Sequence, residues 1–181
     1  MIRTVLLTPA EFASWTPSLG DLLMDVVDGG SSLGFLHGLT RDEAIAWWND
    51  LAPAVADGSL AVWAAADPSG RCLGTISLGF GTMPNGRHRA EVRKLMVHSA
   101  ARGQGLGRTL LAAAERTAAE RGITLLVLDT ETGSPAERFY RAAHWQQAGT
   151  IPDYAADPAG VLRPTTLFYK HLARQAAPVA S

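Results

Sequence analysis

The stretch Arg102-Gly103-Gln104-Gly105-Leu106-Gly107-Arg108 decides how this chain is read. It follows an extended apolar run, Val92 to Val97, and opens a helix-like run from Leu106 to Arg121. A glycine-rich loop between a strand and a helix N-terminus is a phosphate cradle. Backbone N–H groups converge there, the helix dipole adds partial positive charge, and the absent side chains let a ligand come close. The following helix repeats Leu106, Leu110, Ala114 and Ala118 every four residues, so one face is buried, and Gly122 ends it. Ile123 to Leu128 is a nearly continuous apolar strand, the kind buried on both faces. Strand, loop, helix and strand form a crossover, which sets this strand parallel to the one ending at His98.

Working outward, Ile2 to Leu7 reads as a short strand and Glu11 to Asp28 as helical in part, broken by Gly29-Gly30-Ser31-Ser32. Thr40-Arg41-Asp42-Glu43 is a capping box that opens a helix, which Pro53 kinks or divides. Leu60–Ala66 and Leu73–Phe80 are strands joined by the turn Asp67-Pro68-Ser69-Gly70. Pro84-Asn85-Gly86 turns the chain into a strand from Arg89 to His98, its Asn-Gly supplying positive φ angles. Ser134 caps a second helix running to Ala143, with Pro135 at its first position. Trp145–Ile151 and Thr165–His171 are the last strands, separated by a proline- and glycine-containing loop. The expectation is an α/β (α+β) fold: a mixed, mostly antiparallel sheet with a parallel central pair, flanked by helices. Residues 1–173 would form a single domain and 174–181 a frayed tail.

Composition sets the outer bounds. A chain of 181 residues with 47% hydrophobic and 18% charged residues is globular and long enough for a real core. A net charge of -1 argues against binding nucleic acid through bulk charge. The single cysteine, Cys72, excludes an intramolecular disulfide and a cysteine-rich zinc site; beside a turn and with no paired histidine, it packs rather than reacts. His88, His98 and His144 lack metal-ligand spacing, so no metal is expected. There is no secretion signal and no apolar stretch of membrane-spanning length, so a soluble cytoplasmic protein is the default.

Three phosphate readings compete for the glycine loop, beside the plain one in which the glycines only make a tight turn. Gly107-Arg108-Thr109 imitates the end of a nucleotide P-loop, but Arg102 stands where its first glycine belongs and Arg108 where its lysine belongs. A dinucleotide fold needs its third glycine at position 108, which is arginine. The third reading fits: Arg102-x-x-Gly105-x-Gly107 matches the Q/R-x-x-G-x-G/A signature of the GNAT acyltransferase superfamily, which the chain resembles in element order over roughly residues 2 to 171. Within it, Glu91-Val-Arg-Lys-Leu-Met-Val-His98, Leu125-Leu-Val-Leu-Asp-Thr130, Gly133-x-x-Ala-Glu-x-x-Tyr140 and Thr165-Thr-x-x-Tyr-Lys170 resemble the tabtoxin-resistance acetyltransferases.

The resemblance implies acetyl-CoA as co-substrate, its pyrophosphate held by Arg102, Gly103, Gln104, Gly105, Leu106, Gly107 and Arg108. It implies that the fourth strand splays from the fifth, so that Leu95, Met96 and Val97 bind pantetheine and acetyl through main chain. Tyr140 takes the place of the tyrosine that protonates the CoA thiolate. Many members carry Asn seven residues earlier; here it is Gly133, and Ser134 or backbone takes over that contact.

Acetyl transfer needs an amine stripped of its proton, a stabilised carbonyl oxygen and a proton for the leaving thiolate. Strand alternation places Glu91, Arg93, Leu95 and Val97 on one face, with Glu91 as candidate general base or, blandly, a surface partner of Arg93 or Arg89. Asp129, at the carboxyl end of the neighbouring parallel strand, is a second base, a seat for the substrate ammonium, or a turn residue. The acceptor side is expected from Gly29–Leu39, the early helices and the 151–164 loop. Phe35, Trp48 and Tyr154 would be its walls, Asp28 or Asp129 its anion, and one ring of Trp47–Trp48 would enter the core. Gly30-Ser31-Ser32-Leu33-Gly34 matches a serine-hydrolase elbow, but it follows a helical pattern instead of a strand. The expected activity is acetyl transfer to a small primary amine, amino-acid-like or a toxin. A protein N-terminus or lysine is the alternative acceptor, a silent CoA-binding domain the alternative class, and a homodimer a family-based possibility.

Overall fold

The structure, a computed structural model, describes residues 2–173, so the tail expected from Arg174 onward lies outside the described residues. The order is β1 (Arg3–Leu6), α1 (Pro9–Asp28), α2 (Arg41–Asn49), α3 (Ala52–Ala56), β2 (Leu60–Ala66), β3 (Cys72–Phe80), β4 (Arg89–Val97), α4 (Leu106–Glu120), β5 (Leu125–Glu131), α5 (Pro135–Ala142), β6 (Gln146–Ala156) and β7 (Leu162–His171). Seven strands form one sheet in the order β1-β2-β3-β4-β5-β7-β6. Only β4 and β5 run parallel, the central pair that the crossover demands.

Each helix is set by local chemistry. Thr8 and Glu11 form a capping box at the start of α1, and Thr40 and Glu43 form the one expected at α2. Helix α1 is longer than its pattern promised, because Pro17 does not stop it. The Ala13 carbonyl that proline cannot bond instead accepts the Thr16 hydroxyl at 3.1 Å. Pro53 divides the next helical run into α2 and α3. Helix α4 ends at Gly122, φ +76°, with Ile123 N–H donating to the Ala118 carbonyl and Gly122 N–H to that of Ala119.

Two apolar layers cover the sheet. On one face, α1 to α3 pack Phe12, Leu19, Leu23 and Trp48 over Val62, Ala64 and Met96. On the other, α4 packs Leu106, Leu110 and Ala114 over Ile76, Leu78, Ala90, Val92, Leu126 and Leu128, with Tyr140, Trp145 and Phe168 alongside. Strand β5 is buried on one face only: Leu126 and Leu128 are covered, whereas Leu125 and Val127 are half-buried. The helices on that side lie over β2 to β4.

Three expectations need correcting. Pro84-Asn85-Gly86 is a 3-10 turn, and neither Asn85 nor Gly86 has positive φ. The close approach falls at Gly81, where a Cβ would stand 2.3 Å from the Gly86 carbonyl oxygen. The expected 151–164 loop is mostly strand: β6 and β7 form a long hairpin whose tip is held by Asp157, which accepts from Ala159 N–H, Val161 N–H and Arg163. Most important, β4 carries a bulge. Ser77 pairs with Arg93 and Thr75 with Met96, so Lys94 and Leu95 together oppose Ile76, and Lys94 has φ +50°. The bulge reverses the alternation: Glu91 and Arg93 do not share a face with Leu95 and Val97, which join Ala90 and Val92 on the α4 side.

Candidate active site

β4 and β5 pair only at Arg89↔Leu125, Ala90↔Leu126 and Glu91↔Val127. Beyond that, β4 continues to Val97 and β5 to Glu131 without pairing, so the expected splay is present. His98 N–H donates to the Leu73 carbonyl at 2.9 Å. By antiparallel alternation Met96 also turns its main chain to β3, leaving Leu95 and Val97 facing the splay. The Met96 side chain is sealed in the core beneath α1. In this state the Val97 carbonyl accepts Arg102 Nε at 3.3 Å.

The glycine loop closes one end of the splay. Gly103 has φ +77° and Gly105, the N-cap of α4, φ +78°. Those left-handed angles, easiest for glycine, are the kind that turn successive N–H groups toward an anion. Arg108 N–H and Thr109 N–H fold back on the Gly105 carbonyl, leaving those of Leu106 and Gly107 without intrahelical acceptors. Leu106 is buried and Gln104 Nε2 bonds the Ala100 carbonyl, so both can meet a phosphate only through backbone. Arg108 borders a groove of about 620 Å³ on the flank of α4 that faces Leu6 and Trp63.

Tyr140 approaches from the α4 side, 6% exposed and packed edge-on against Phe139 and Trp145. Its hydroxyl makes no hydrogen bond among the described residues, yet it is not one of the sealed unpartnered atoms there, which are Trp48 Nε1 and Ser77 Oγ. It therefore opens onto free space. Burial raises its phenol well above the ordinary value, and the charge of Asp129 adds to the effect, so it keeps its proton at neutral pH.

The carboxylates lie on the opposite face. Glu91 pairs in register with Val127, so Glu91, Val127 and Asp129 share the α1 side of the sheet. Glu91 is held by Arg93, the bland partner weighed for it, and Asp129 accepts from the Thr165 hydroxyl at 3.1 Å. The acid candidate and the base candidates thus lie on opposite faces of the sheet. Ser134 caps α5, its Oγ accepting Glu137 N–H at 3.1 Å and keeping its own O–H to donate. Where an asparagine was missed at Gly133, the N–H of Gly133 donates to the buried Glu137 carboxylate, which Thr166 and Arg141 also bond.

One residue escaped the sequence reading. Lys94, at the bulge, sends its ammonium to the α1 face of the sheet. There it donates to the Leu33 carbonyl at 2.6 Å and stands 5.1 Å and 5.5 Å from the ring centroids of Trp47 and Phe35. Burial lowers its pKa, opposed by the charge of Asp129. A lysine flanked by arginine in a strand pattern reads as solvent-facing, and no sequence signal marked the bulge. Trp48 is the core ring, fully buried against Phe12, so it cannot be the acceptor wall expected of it; the half-buried ring beside Phe35 and Lys94 is Trp47. Asp28 ends α1 and Tyr154 is exposed on β6. Gly30–Gly34 follows a helix, with Ser32 Oγ donating to the Ala156 carbonyl, so no nucleophile elbow exists.

A parallel pair splayed at a glycine loop, with a buried tyrosine on one face and carboxylates on the other, is the arrangement that the resemblance to the GNAT acyltransferases implies. The profile of the acetyltransferase (GNAT) family matches residues 23–145, and the chain belongs to that family. It is an acetyl-CoA-dependent N-acetyltransferase. Among solved structures, it resembles a ribosomal-protein-alanine N-acetyltransferase of Brucella melitensis, 26% identical over 95% of this chain and 99% of that one, TM-score 0.71. An N-acetyltransferase of Staphylococcus aureus Mu50 is 17% identical over 94% and 98%, TM-score 0.76. The protein yncA of Salmonella typhimurium, solved with its cofactor acetyl-CoA, is 21% identical over 100% and 99%, TM-score 0.73.

Proposed function

We propose that the enzyme acetylates the primary amine of a small molecule, amino-acid-like or toxin-like as in the tabtoxin-resistance acetyltransferases, by direct attack in a ternary complex. The observation that carries this reading is the disposition across the splay: Glu91 and Asp129 on the α1 face, Tyr140 opening from the α4 face. The amine nitrogen attacks the thioester carbonyl carbon, and its proton goes to the carboxylate pair. The C–S bond breaks, and the CoA thiolate takes the proton of Tyr140. The N–H groups of Leu106 and Gly107, with Arg102 to Gly105 and Arg108, hold the pyrophosphate; Leu95 and Val97 hold the arm; Ser134 supplies a further hydroxyl. Residues 1–173 act as one catalytic domain.

A small acceptor suits the closed wall on the α1 side. The Gly29–Leu39 segment is tied to Lys94 through Leu33 and to the β6–β7 tip through His37 N–H and the Pro158 carbonyl. The second reading, a protein N-terminus, is favoured by the similarity to the Brucella melitensis enzyme. Release of free CoA across a panel of amines, amino acids and peptides tests both. Turnover with small amines at rates above those with peptides is expected, and the reverse order moves the assignment to the second reading. Glu91→Gln and Asp129→Asn should each lower kcat without weakening acetyl-CoA binding; unchanged rates in both would remove the carboxylates from the chemistry.

A further inference from the structure

The chain has two lysines, and they are built differently. Lys170 is neutralised by Glu115, 2.9 Å from its Nζ. Lys94 is half-buried and makes no ion pair among the described residues, although burying an unpaired ammonium is costly. Its compensation is partial. The Leu33 carbonyl accepts one of its three N–H donors, and the faces of Trp47 and Phe35 stabilise the cation by their quadrupoles. The nearby carboxylates are engaged elsewhere, Glu91 by Arg93 and Asp129 by Thr165. The positive φ at the bulge holds the ammonium on the same face as those carboxylates, beside the splay.

The geometry points to Lys94 as the residue that selects the acceptor. Its remaining N–H donors bind an anionic group, above all a carboxylate, on the same molecule whose amine sits at Asp129 and Glu91. This rests on the transfer reading given above and narrows it. Cation and carboxylates on adjacent strands match a zwitterion, an amine with a carboxylate a few bonds away. The Gly30–Gly34 segment then has a role. Gly34, φ +87°, turns the loop beside the ammonium, where a Cβ would lie in ordinary contact at 4.0 Å from Nζ. Binding site and wall are made by one contact.

The test compares α-amino acids with their amides, which keep the amine and lose the charge, as acceptors for wild type, Lys94→Met and Lys94→Arg. Wild type is expected to prefer the free acids by about tenfold or more in kcat/KM. Lys94→Met should abolish that preference by raising KM for the acid far more than for the amide, whose smaller loss reads the loop contact, with acetyl-CoA affinity retained, and Lys94→Arg should restore part of it. Equal use of acids and amides by wild type overturns the assignment, whatever the variants do. So does an equal loss on both substrates in a folded Lys94→Met, which would leave Lys94 a loop pin alone. No CoA release with any amine, charged or neutral, refutes the transfer reading itself and this one with it.

Discussion

Replacing Gly105 and Gly107 by alanine, one at a time, puts the same methyl group on two opposite backbones. Gly105 holds φ +78°, with open space where a Cβ would stand. An L-residue there costs about 1–2 kcal/mol in Cβ–carbonyl crowding. The stiffer unfolded chain returns about 0.4–1 kcal/mol. The balance is about 1 kcal/mol against folding, or about 2–4 °C in Tm for a chain of this size. Gly107 lies in the first turn of α4, where a Cβ would meet Val97 Cγ2 at 3.6 Å and the Phe139 ring at 3.7 Å, ordinary contacts. Alanine there gains about 0.5–1 kcal/mol of helix preference. The two variants should therefore move in opposite directions in thermal unfolding. At Gly105 the new methyl also enters the space a phosphate approaches, so acetyl-CoA affinity by calorimetry should fall about tenfold, or about 1.4 kcal/mol. At Gly107 it should stay within about threefold, under about 1 kcal/mol. If Gly107→Ala proves the more damaging to both stability and binding, the loop is not the cradle argued here.

Tyr140→Phe should slow transfer about a hundredfold, the scale of a lost general acid, while stability and acetyl-CoA affinity hold, because its hydroxyl makes no hydrogen bond among the described residues. Single-turnover CoA release checks it, and an equal loss of affinity would make Tyr140 a packing residue. Glu137 has its pKa lowered from 4.5 chiefly by the Gly133 N–H and Arg141. A depressed carboxylate contributes stability that is present above its unfolded pKa and lost as pH falls through the folded one, so urea midpoints should drop below about pH 4. Asp25 and Asp157 are lowered too and share that limb, so Glu137→Gln should reduce it and lower the plateau above it; a limb of unchanged depth would assign it to those other groups. Burial pushes the Cys72 thiol up to about 11, so it should resist thiol reagents in the native protein and react fully in denaturant. Rapid native labelling would contradict the packing of β3 under α1.

How much of this was legible before the fold was known depended on the range of the interaction. The capping box at Thr40, the N-cap at Ser134, the Schellman end at Gly122, and the glycine loop opening α4 are set by neighbours within a few residues, and each was readable. So was the parallel placement of β4 and β5, since a helical crossover permits little else. The Asn85-Gly86 turn was misread because the same dipeptide serves a 3-10 turn when Gly81 must pass close to Gly86. Trp47 and Trp48 are adjacent, and only the packing of α2 against Phe12 settles which ring is core.

The sequence by itself determined the glycine-loop side in its geometry: a loop of local backbone angles, a helix N-terminus and a tyrosine at helical spacing from its cap. The surroundings of Lys94 were decided only in three dimensions. The bulge at Lys94 arises from pairing with β3 while β4 diverges from β5, a demand between strands that no glycine or proline in Glu91–Val97 announces. It reverses one face of the strand and carries a lysine into an aromatic enclosure made by residues 47 to 61 positions away in the chain, beside the carboxylates of two strands. Local propensities are additive along a sequence; the environment of a side chain at a bulge is a property of everything packed around it.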